Sequence, residues 1–154
     1  MGAKSKLLDL VRQELRKHLE RLSEAAQEAH AAATDPDSRA EGKYDTRSLE
    51  ASYLAEGQAR QVEGLAEAIR QLGSFEAHDL DLTEPIVCGA LVETERDGET
   101  EWFLLLPAGG GHEVEHEGRT VTLLGPESPL YRNLIGKTLG DSVGETGMTV
   151  TEIG

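Results

Sequence analysis

The chain has 154 residues, of which 38% are hydrophobic and only 4% aromatic, so only part of it is expected to fold around a dense core. Its formal net charge of −14 opposes unaided binding to nucleic acid or to an anionic membrane, and a role near DNA or RNA would require a docking partner. No apolar run approaches the ~20 residues that cross a bilayer, and the N-terminus lacks a secretion signal, so we expect a cytoplasmic protein.

The segment from Lys4 to Ala33 contains neither proline nor glycine and predicts a long helix. Its apolar or small residues recur at alternating intervals of three and four, as in a coiled-coil seam. They are Leu8, Val11, Leu15, His18, Leu22, Ala25, Ala29 and Ala32. Four basic residues of this helix are interpreted as a solvated face rather than as RNA contacts: Arg12, Arg16, Lys17 and Arg21.

A second helix is predicted from Thr46 to Leu72, with a stripe of the same spacing. Its members are Ala51, Ala55, Gln58, Val62, Leu65, Ile69 and Leu72. Because a short polar segment joins the two helices, they are predicted to pair as an antiparallel coiled-coil hairpin, the first domain, residues 1–75.

The connection between the helices, "TDPDSRAEGKYDTR" at residues 34–47, carries four carboxylates: Asp35, Asp37, Glu41 and Asp45. Asp35 and Asp37 suit a helix end and a turn around Pro36, and Asp45 suits the cap of the second helix. That structural account leaves Glu41 unexplained, together with the gathering of four like charges. Exposed carboxylates can also complete the coordination of Mg²⁺, which shares its oxygen ligands with phosphates. Both interpretations stay open on the residues alone.

Residues 80–154 show short runs with strand character, separated by turn signals. The predicted strands are Ile86 to Thr94, Glu101 to Leu106, Arg119 to Leu124 and Met148 to Ile153, with a possible further short strand after the glycine-rich segment. A short helix is predicted at "SPLYRNLIG", with Ser128 as N-cap, Pro129 in the first position and Gly136 after the end. The predicted class is therefore α+β: a helical hairpin followed by a second domain, residues 80–154, a small antiparallel sheet of four or five strands with one short helix.

Three other features of residues 80–154 are weaker candidates for a functional site. "GGGH" at 109–112 lacks the residues of a phosphate-binding loop and is interpreted as a flexible connection. His112 and His116 have the spacing of a metal pair on a helix, which the glycines oppose, and on a strand they would share one face. The single cysteine, Cys88, excludes an intrachain disulfide and is predicted to be an inert thiol in a buried strand.

The stretch "TVTLLGPESPLYRNLIGKTLGDSV", residues 120–143, resembles the C-terminal domain of the GreA/GreB family of bacterial transcription elongation factors. The residues that carry the resemblance are Ser128, Pro129, Leu134, Ile135, Gly136, Lys137, Gly140 and Asp141. The upstream "VCGALVETERDGETEWFLLLP" resembles the family's preceding strand, glycine and hairpin. Family members have a similar length and the same order of a coiled coil and a sheet domain, so the resemblance extends over nearly the whole chain.

The resemblance implies an FKBP-like sheet domain and a function. It implies docking on bacterial RNA polymerase, at the rim of the secondary channel, through Glu127, Ser128, Pro129 and Leu130. The acidic tip, here Asp35, Asp37, Glu41 and Asp45, would then help to hold a Mg²⁺ beside the polymerase's own carboxylates, so that backtracked RNA is cut. The chain would have no cofactor of its own, would not be a complete enzyme, and would meet nascent RNA only indirectly, without sequence-specific DNA binding.

At the tip the chain departs from the family pattern. Matching Ala51 and Tyr53 to the family's Ala and Tyr places Thr46 and Leu49 where the family has Asp and Glu. The alternative within the family is therefore a channel regulator that does not stimulate cleavage. Two other classes are a prolyl isomerase, for which only Trp102, Phe103 and Tyr131 are available as aromatics after residue 80, and a coiled-coil adaptor.

Overall fold

The computed structural model describes residues 3–34 and 47–154 of the chain. Two long helices come first, and a sheet with one short helix follows, which confirms the predicted α+β class. The helices are α1 (Ala3–Thr34), α2 (Arg47–Gly73) and α3 (Pro129–Leu134). The strands are β1 (Leu91–Arg96), β2 (Glu99–Leu105), β3 (Glu113–His116), β4 (Arg119–Leu124), β5 (Ser142–Val143) and β6 (Met148–Ile153).

The chain forms two compact units, one made of Met1–Glu14 with Ala68–Gly154 and the other of Leu15–Glu67. The predicted domain boundary between residues 75 and 80 stays a prediction. In the second unit, the predicted stripe positions whose side chains the structure describes are buried or half-buried. Leu15 and Leu65 are buried, and Leu22 and Val62 are half-buried. The seam periodicity therefore predicted the inward faces of the two long helices.

Within the first unit, the start of α1 is fixed to the chain that follows α2. Lys4 Nζ donates a hydrogen bond to the His78 carbonyl at 2.6 Å, and Arg12 Nε donates to the Leu72 carbonyl at 2.9 Å. As the residue number rises along α1, the number of its partner falls. The two segments therefore run antiparallel here, as predicted.

The six strands are arranged in the order β3-β4-β2-β1-β6-β5. All neighbouring pairs are antiparallel except β2 and β4, which pair in parallel with Trp102 opposite Val121. The expectation of a wholly antiparallel sheet of four or five strands was wrong on both points. The connection over residues 106–118 is long enough for a parallel crossover, and β5, with two residues, is too short for a periodic signal.

The first strand begins at Leu91, and the predicted start at Ile86 was wrong. Residues 87–90 form a turn in which the Ala90 amide donates to the Val87 carbonyl at 3.0 Å. Gly89 has a φ of 98°, outside the strand region, which interrupts the apolar run. Cys88 is consequently half-buried in a turn rather than buried in a strand.

The core of the first unit lies on the face of the sheet against which α3 packs. Its buried members are Ile86, Ala90, Val92, Phe103, Leu105, Leu124, Leu134, Val143, Met148, Val150 and Ile153. Three partly buried side chains pack on this cluster: Leu80, Leu130 and Tyr131. Leu104, which points to the opposite face of β2, is also fully buried. At the end of β4 the neighbouring Leu123 and Leu124 are likewise both buried, so the sheet is covered on both faces where it leads to α3.

Candidate docking turn

The four tip carboxylates predicted as catalytic, Asp35, Asp37, Glu41 and Asp45, lie outside the described residues, as does Thr46. Their predicted role stays a prediction. The other predicted site, Glu127–Leu130, is fully described, and we call it the docking turn.

The docking turn connects β4 to α3. The Ser128 amide donates to the Gly125 carbonyl at 3.0 Å, which closes the turn, and the Arg132 amide donates to the Ser128 carbonyl at 3.2 Å, which opens the helix. Ser128 is the N-cap and Pro129 occupies the first helical turn, as predicted. The Ser128 side chain makes no capping hydrogen bond. The helix is therefore not capped by the Ser128 hydroxyl.

The side chain of Arg132 holds the backbone of the docking turn from the helix. Its Nε donates to the Pro126 carbonyl at 3.3 Å, and its Nη2 donates to the Glu127 carbonyl at 2.8 Å. Hydrogen bonds from a charged donor are stronger than those between neutral groups. The planar guanidinium therefore fixes two neighbouring peptide groups at once.

Beyond the docking turn, Gly136 and Lys137 form a bridge to the segment that precedes β1. The Gly136 amide donates to the Ile86 carbonyl, and the Ile86 amide donates to the Lys137 carbonyl, both at 2.8 Å. The neighbouring side chains Val87 and Ile135 remain exposed. The role of these two motif residues in the fold is thus the joining of α3 to the start of the sheet.

Gly140 and Asp141 form a second bridge, to β6. The Gly140 amide donates to the Val150 carbonyl at 2.8 Å, and the Val150 amide donates to the Asp141 carbonyl at 2.9 Å. The Asp141 carboxylate accepts the Thr138 amide at 2.8 Å and the Thr138 hydroxyl at 3.0 Å. These bonds to the charged form hold the pKa of Asp141 below its usual range. This part of the motif also serves the fold.

In contrast to these residues, Glu127 and Pro129 present exposed side chains at the surface, and Leu130 is half-buried against the core. The bond that closes the turn and the bonds of the two bridges join backbone groups and involve none of these three side chains. The docking turn is therefore the part of the motif that is free to meet a partner.

The remaining candidates do not form a second site. His116 lies near the exposed carboxylate of Glu117, at 3.8 Å, and the described residues contain no group of three His, Cys, Asp or Glu side chains placed to hold a metal. Burial, followed by the neighbouring Cys88 thiol, raises the pKa of Tyr131 to about 12. Cys88 thus packs beside a tyrosine of the core.

The aromatic side chains that a prolyl isomerase would need are separated. Phe103 is buried in the core cluster, on which Tyr131 packs. Trp102, the next residue on the same strand, points to the other face, where the Arg119 guanidinium lies 4.0 Å from its ring centroid. Trp102 therefore does not line a common pocket with the other two.

Sequence reasoning missed three residues at the docking turn: Arg132, Gly125 and Gly110. Arg132 donates hydrogen bonds to the Pro126 and Glu127 carbonyls, and Gly110 and Gly125 approach each other closely at the start of the turn. Arg132 lies inside the recognised motif, and its spacing was a signal, since an arginine four residues after an N-cap can reach back over the turn.

Among the described helices, none is long and apolar enough to cross a membrane.

Three solved structures are similar to the chain. The crystal structure of GreA factor homolog 1 (Gfh1) of Thermus thermophilus has 23% identity, with 93% of this chain and 94% of that chain covered and a TM-score of 0.36. The crystal structure of Thermus aquaticus Gfh1 has 20% identity, 92% coverage of each chain and the same TM-score. A structure described as the transcription factor Gfh1 has 24% identity, coverage of 94% and 93%, and again a TM-score of 0.36.

These similarities extend over more than nine-tenths of the chain and concern proteins named Gfh1, the first of which is described as GreA factor homolog 1. At such identities and TM-scores, no functional residue is transferred by position. No family model matches the chain, and no curated protein matches it significantly.

Proposed function

We propose that the chain is a transcription factor that binds bacterial RNA polymerase through the docking turn and extends the acidic connection between its two long helices into the secondary channel. The observation that carries this proposal is that the residues of the motif fall into two groups. One group joins parts of the fold through backbone hydrogen bonds: Gly136, Lys137, Gly140 and Asp141. The other group, Glu127 and Pro129, has exposed side chains on a turn whose backbone is fixed by hydrogen bonds. A displayed, preformed turn is the kind of surface that binds a protein partner at low entropic cost.

In this proposal the chain is an accessory factor and not an enzyme by itself. The Mg²⁺ belongs to the polymerase active site, and Asp35, Asp37, Glu41 and Asp45 supply oxygen ligands or a general base for the attacking water. The water would then attack the phosphorus of a phosphodiester in the backtracked transcript, and the 3′ oxygen of the upstream nucleotide would leave. Stimulation of this cleavage is the first form of the proposal.

The second form is a regulator that occupies the channel without stimulating cleavage. It is favoured by Thr46 and Leu49, which stand where the family pattern has an acid pair. Neither residue can coordinate Mg²⁺ as a carboxylate does. The two forms share the docking turn and differ only in the chemistry at the tip.

Cleavage of labelled RNA in a backtracked elongation complex distinguishes the two forms. With Mg²⁺ and the unmodified protein, shortening from the 3′ end above the polymerase-only rate supports the first form. The combined variant Asp35→Asn, Asp37→Asn, Glu41→Gln and Asp45→Asn should then abolish the stimulation and leave binding intact. A control variant neutralises three exposed acids of α1 instead: Glu20→Gln, Glu24→Gln and Glu28→Gln.

Binding itself is tested by titrating labelled protein with purified polymerase. Glu127→Lys reverses a charge on the docking turn and should weaken binding at least about tenfold, or about 1.4 kcal/mol. Glu145→Lys makes the same change at an exposed position on another turn of the same unit and should bind like the unmodified protein. No binding by the unmodified protein would exclude both forms of the proposal.

A further inference from the structure

The glycine-rich loop, residues 107–111, leaves and rejoins the sheet at the end of β4. At its entrance the Leu106 amide donates to the Leu124 carbonyl at 2.9 Å. At its exit the Gly111 amide donates to the Leu123 carbonyl at 2.9 Å, and the Leu123 amide donates to the His112 carbonyl at 2.8 Å. Both ends of the loop are therefore pinned to the two residues that precede Gly125.

The middle of this loop touches the backbone from which the docking turn starts. A Cβ atom at Gly110 would lie 2.4 Å from the Gly125 nitrogen, 3.0 Å from its Cα and 3.2 Å from the Leu124 carbonyl carbon. All three are backbone atoms, which cannot rotate away as the end of a side chain can. Gly110 is thus required for a close approach of two backbones. The sequence predicted a flexible connection here, whereas the structure packs the loop against Gly125.

Gly125 also lies beside the side chain of Glu127 in the docking turn. A Cβ atom at Gly125 would lie 2.8 Å from Glu127 Oε1. Gly125 is therefore approached both by the backbone of the loop at Gly110 and by the Glu127 carboxylate. A displacement of Gly125 by the loop would reach Glu127 directly.

The four backbone carbonyls from Gly125 to Ser128 are all engaged. Those of Gly125, Pro126, Glu127 and Ser128 accept, in that order, from the Ser128 amide, from Arg132 Nε, from Arg132 Nη2 and from the Arg132 amide. Four consecutive accepting carbonyls leave the turn few alternative conformations. Only the position of Gly125, at the base, is not fixed by Arg132.

We infer that the glycine-rich loop is a positioning element for the docking turn, and that the contact between Gly110 and Gly125 sets where Glu127 stands. This inference deepens the proposed function and rests on it. Gly110 is a positioning residue: it touches no partner and acts through Gly125. The loop fixes the base of the turn and Arg132 fixes its carbonyls, so the turn meets the polymerase already in its bound form.

Gly110→Ala tests the contact with one methyl group. Hydrogen exchange of the amides in residues 125–132 should accelerate at least about tenfold, while exchange in β1 and β2 should stay as in the unmodified protein. The affinity for purified polymerase should fall at least about fivefold at a temperature where circular dichroism shows the variant folded. Gly73→Ala is the control, since a Cβ there meets nothing within 4 Å.

A second pair of measurements separates positioning from general destabilisation. In a Glu127→Lys background, Gly110→Ala should cause no further loss of affinity, because both changes act on the same contact. If Gly110→Ala does not fold, Gly125→Ala carries the test at the other member of the contact. Its Cβ would meet only the carboxylate end of Glu127, which can rotate away, so the variant should fold and its affinity for polymerase should fall at least about fivefold. Additive losses with Glu127→Lys would overturn the inference.

The failure of the inference differs from that of the proposed function. If the unmodified protein binds polymerase and Glu127→Lys weakens binding, an unchanged affinity of folded Gly110→Ala overturns the inference alone. If the unmodified protein does not bind, the proposed function fails and the role in binding fails with it. Unchanged exchange in residues 125–132 overturns the positioning role in either case.

Discussion

Arg12 offers the sharpest test of how the start of α1 is held. Its Nε and Nη2 donate to the carbonyls of Leu72 and Phe75, at 2.9 and 2.8 Å, at the end of α2. A cation at a helix C-terminus also interacts favourably with the helix dipole. Its contact with the Asp9 carboxylate, 3.0 Å away, adds little, because that carboxylate is 59% exposed. The backbone carbonyls are therefore its important partners.

The change Arg12→Met keeps the length of the side chain and removes both donors. Each hydrogen bond from a charged group contributes roughly 1.5 to 3 kcal/mol, and water can replace part of the loss because Arg12 is only part-buried. We expect the free energy of unfolding to fall by about 2 to 3 kcal/mol. The Arg12→Lys side chain has no planar group that reaches both carbonyls. Its free energy of unfolding should therefore lie between those of Arg12→Met and the unmodified protein.

Urea denaturation followed by circular dichroism measures the effect, with Trp102 fluorescence as a second probe in the sheet. Arg16→Met is the matched control, because Arg16 is exposed on the same helix, and it should cost less than about 0.5 kcal/mol. Equal stability of Arg12→Met and Arg16→Met would refute the idea that Arg12 fixes the segment after α2.

Three further changes test the first unit. Leu134→Ala removes a fully buried side chain of α3 and should cost about 2 to 5 kcal/mol in urea denaturation. The hydrogen bonds from Thr138 lower the pKa of Asp141, so its contribution to stability is present above the unfolded value of ~3.9 and is lost as the pH falls. The difference in stability between Asp141→Asn and the unmodified protein should therefore shrink below about pH 4. Burial lowers the pKa of Lys4, so the unfolded chain binds more protons at alkaline pH. Stability should rise with pH there, and Lys4→Met should flatten that rise.

The helices were predictable from the sequence because their signal is periodic and local. Leu15 and Leu65 are buried where the spacing of three and four placed them. What could not be predicted depends on partners distant in the chain. Arg12 fits the pattern of a solvated face, and only the return of residues 72–75 beside α1 makes it a structural residue. The parallel pairing of β2 with β4 is likewise a property of the sheet and not of either strand.

At the candidate site, the resemblance identified the segment but not the roles of its residues, and the glycine-rich loop shows why. The glycines at 109, 110 and 111 are identical in the sequence, yet they serve two physical requirements. Gly109 and Gly111 have φ values of 82° and 92°, which side chains rarely adopt, whereas Gly110 is distinguished by its contact with Gly125. A positive φ depends only on the local chain, whereas a close approach of two backbones depends on both segments. A change at Gly110 is therefore expected to act on Gly125, fifteen residues away, and through it on the docking turn, before it acts on the loop itself.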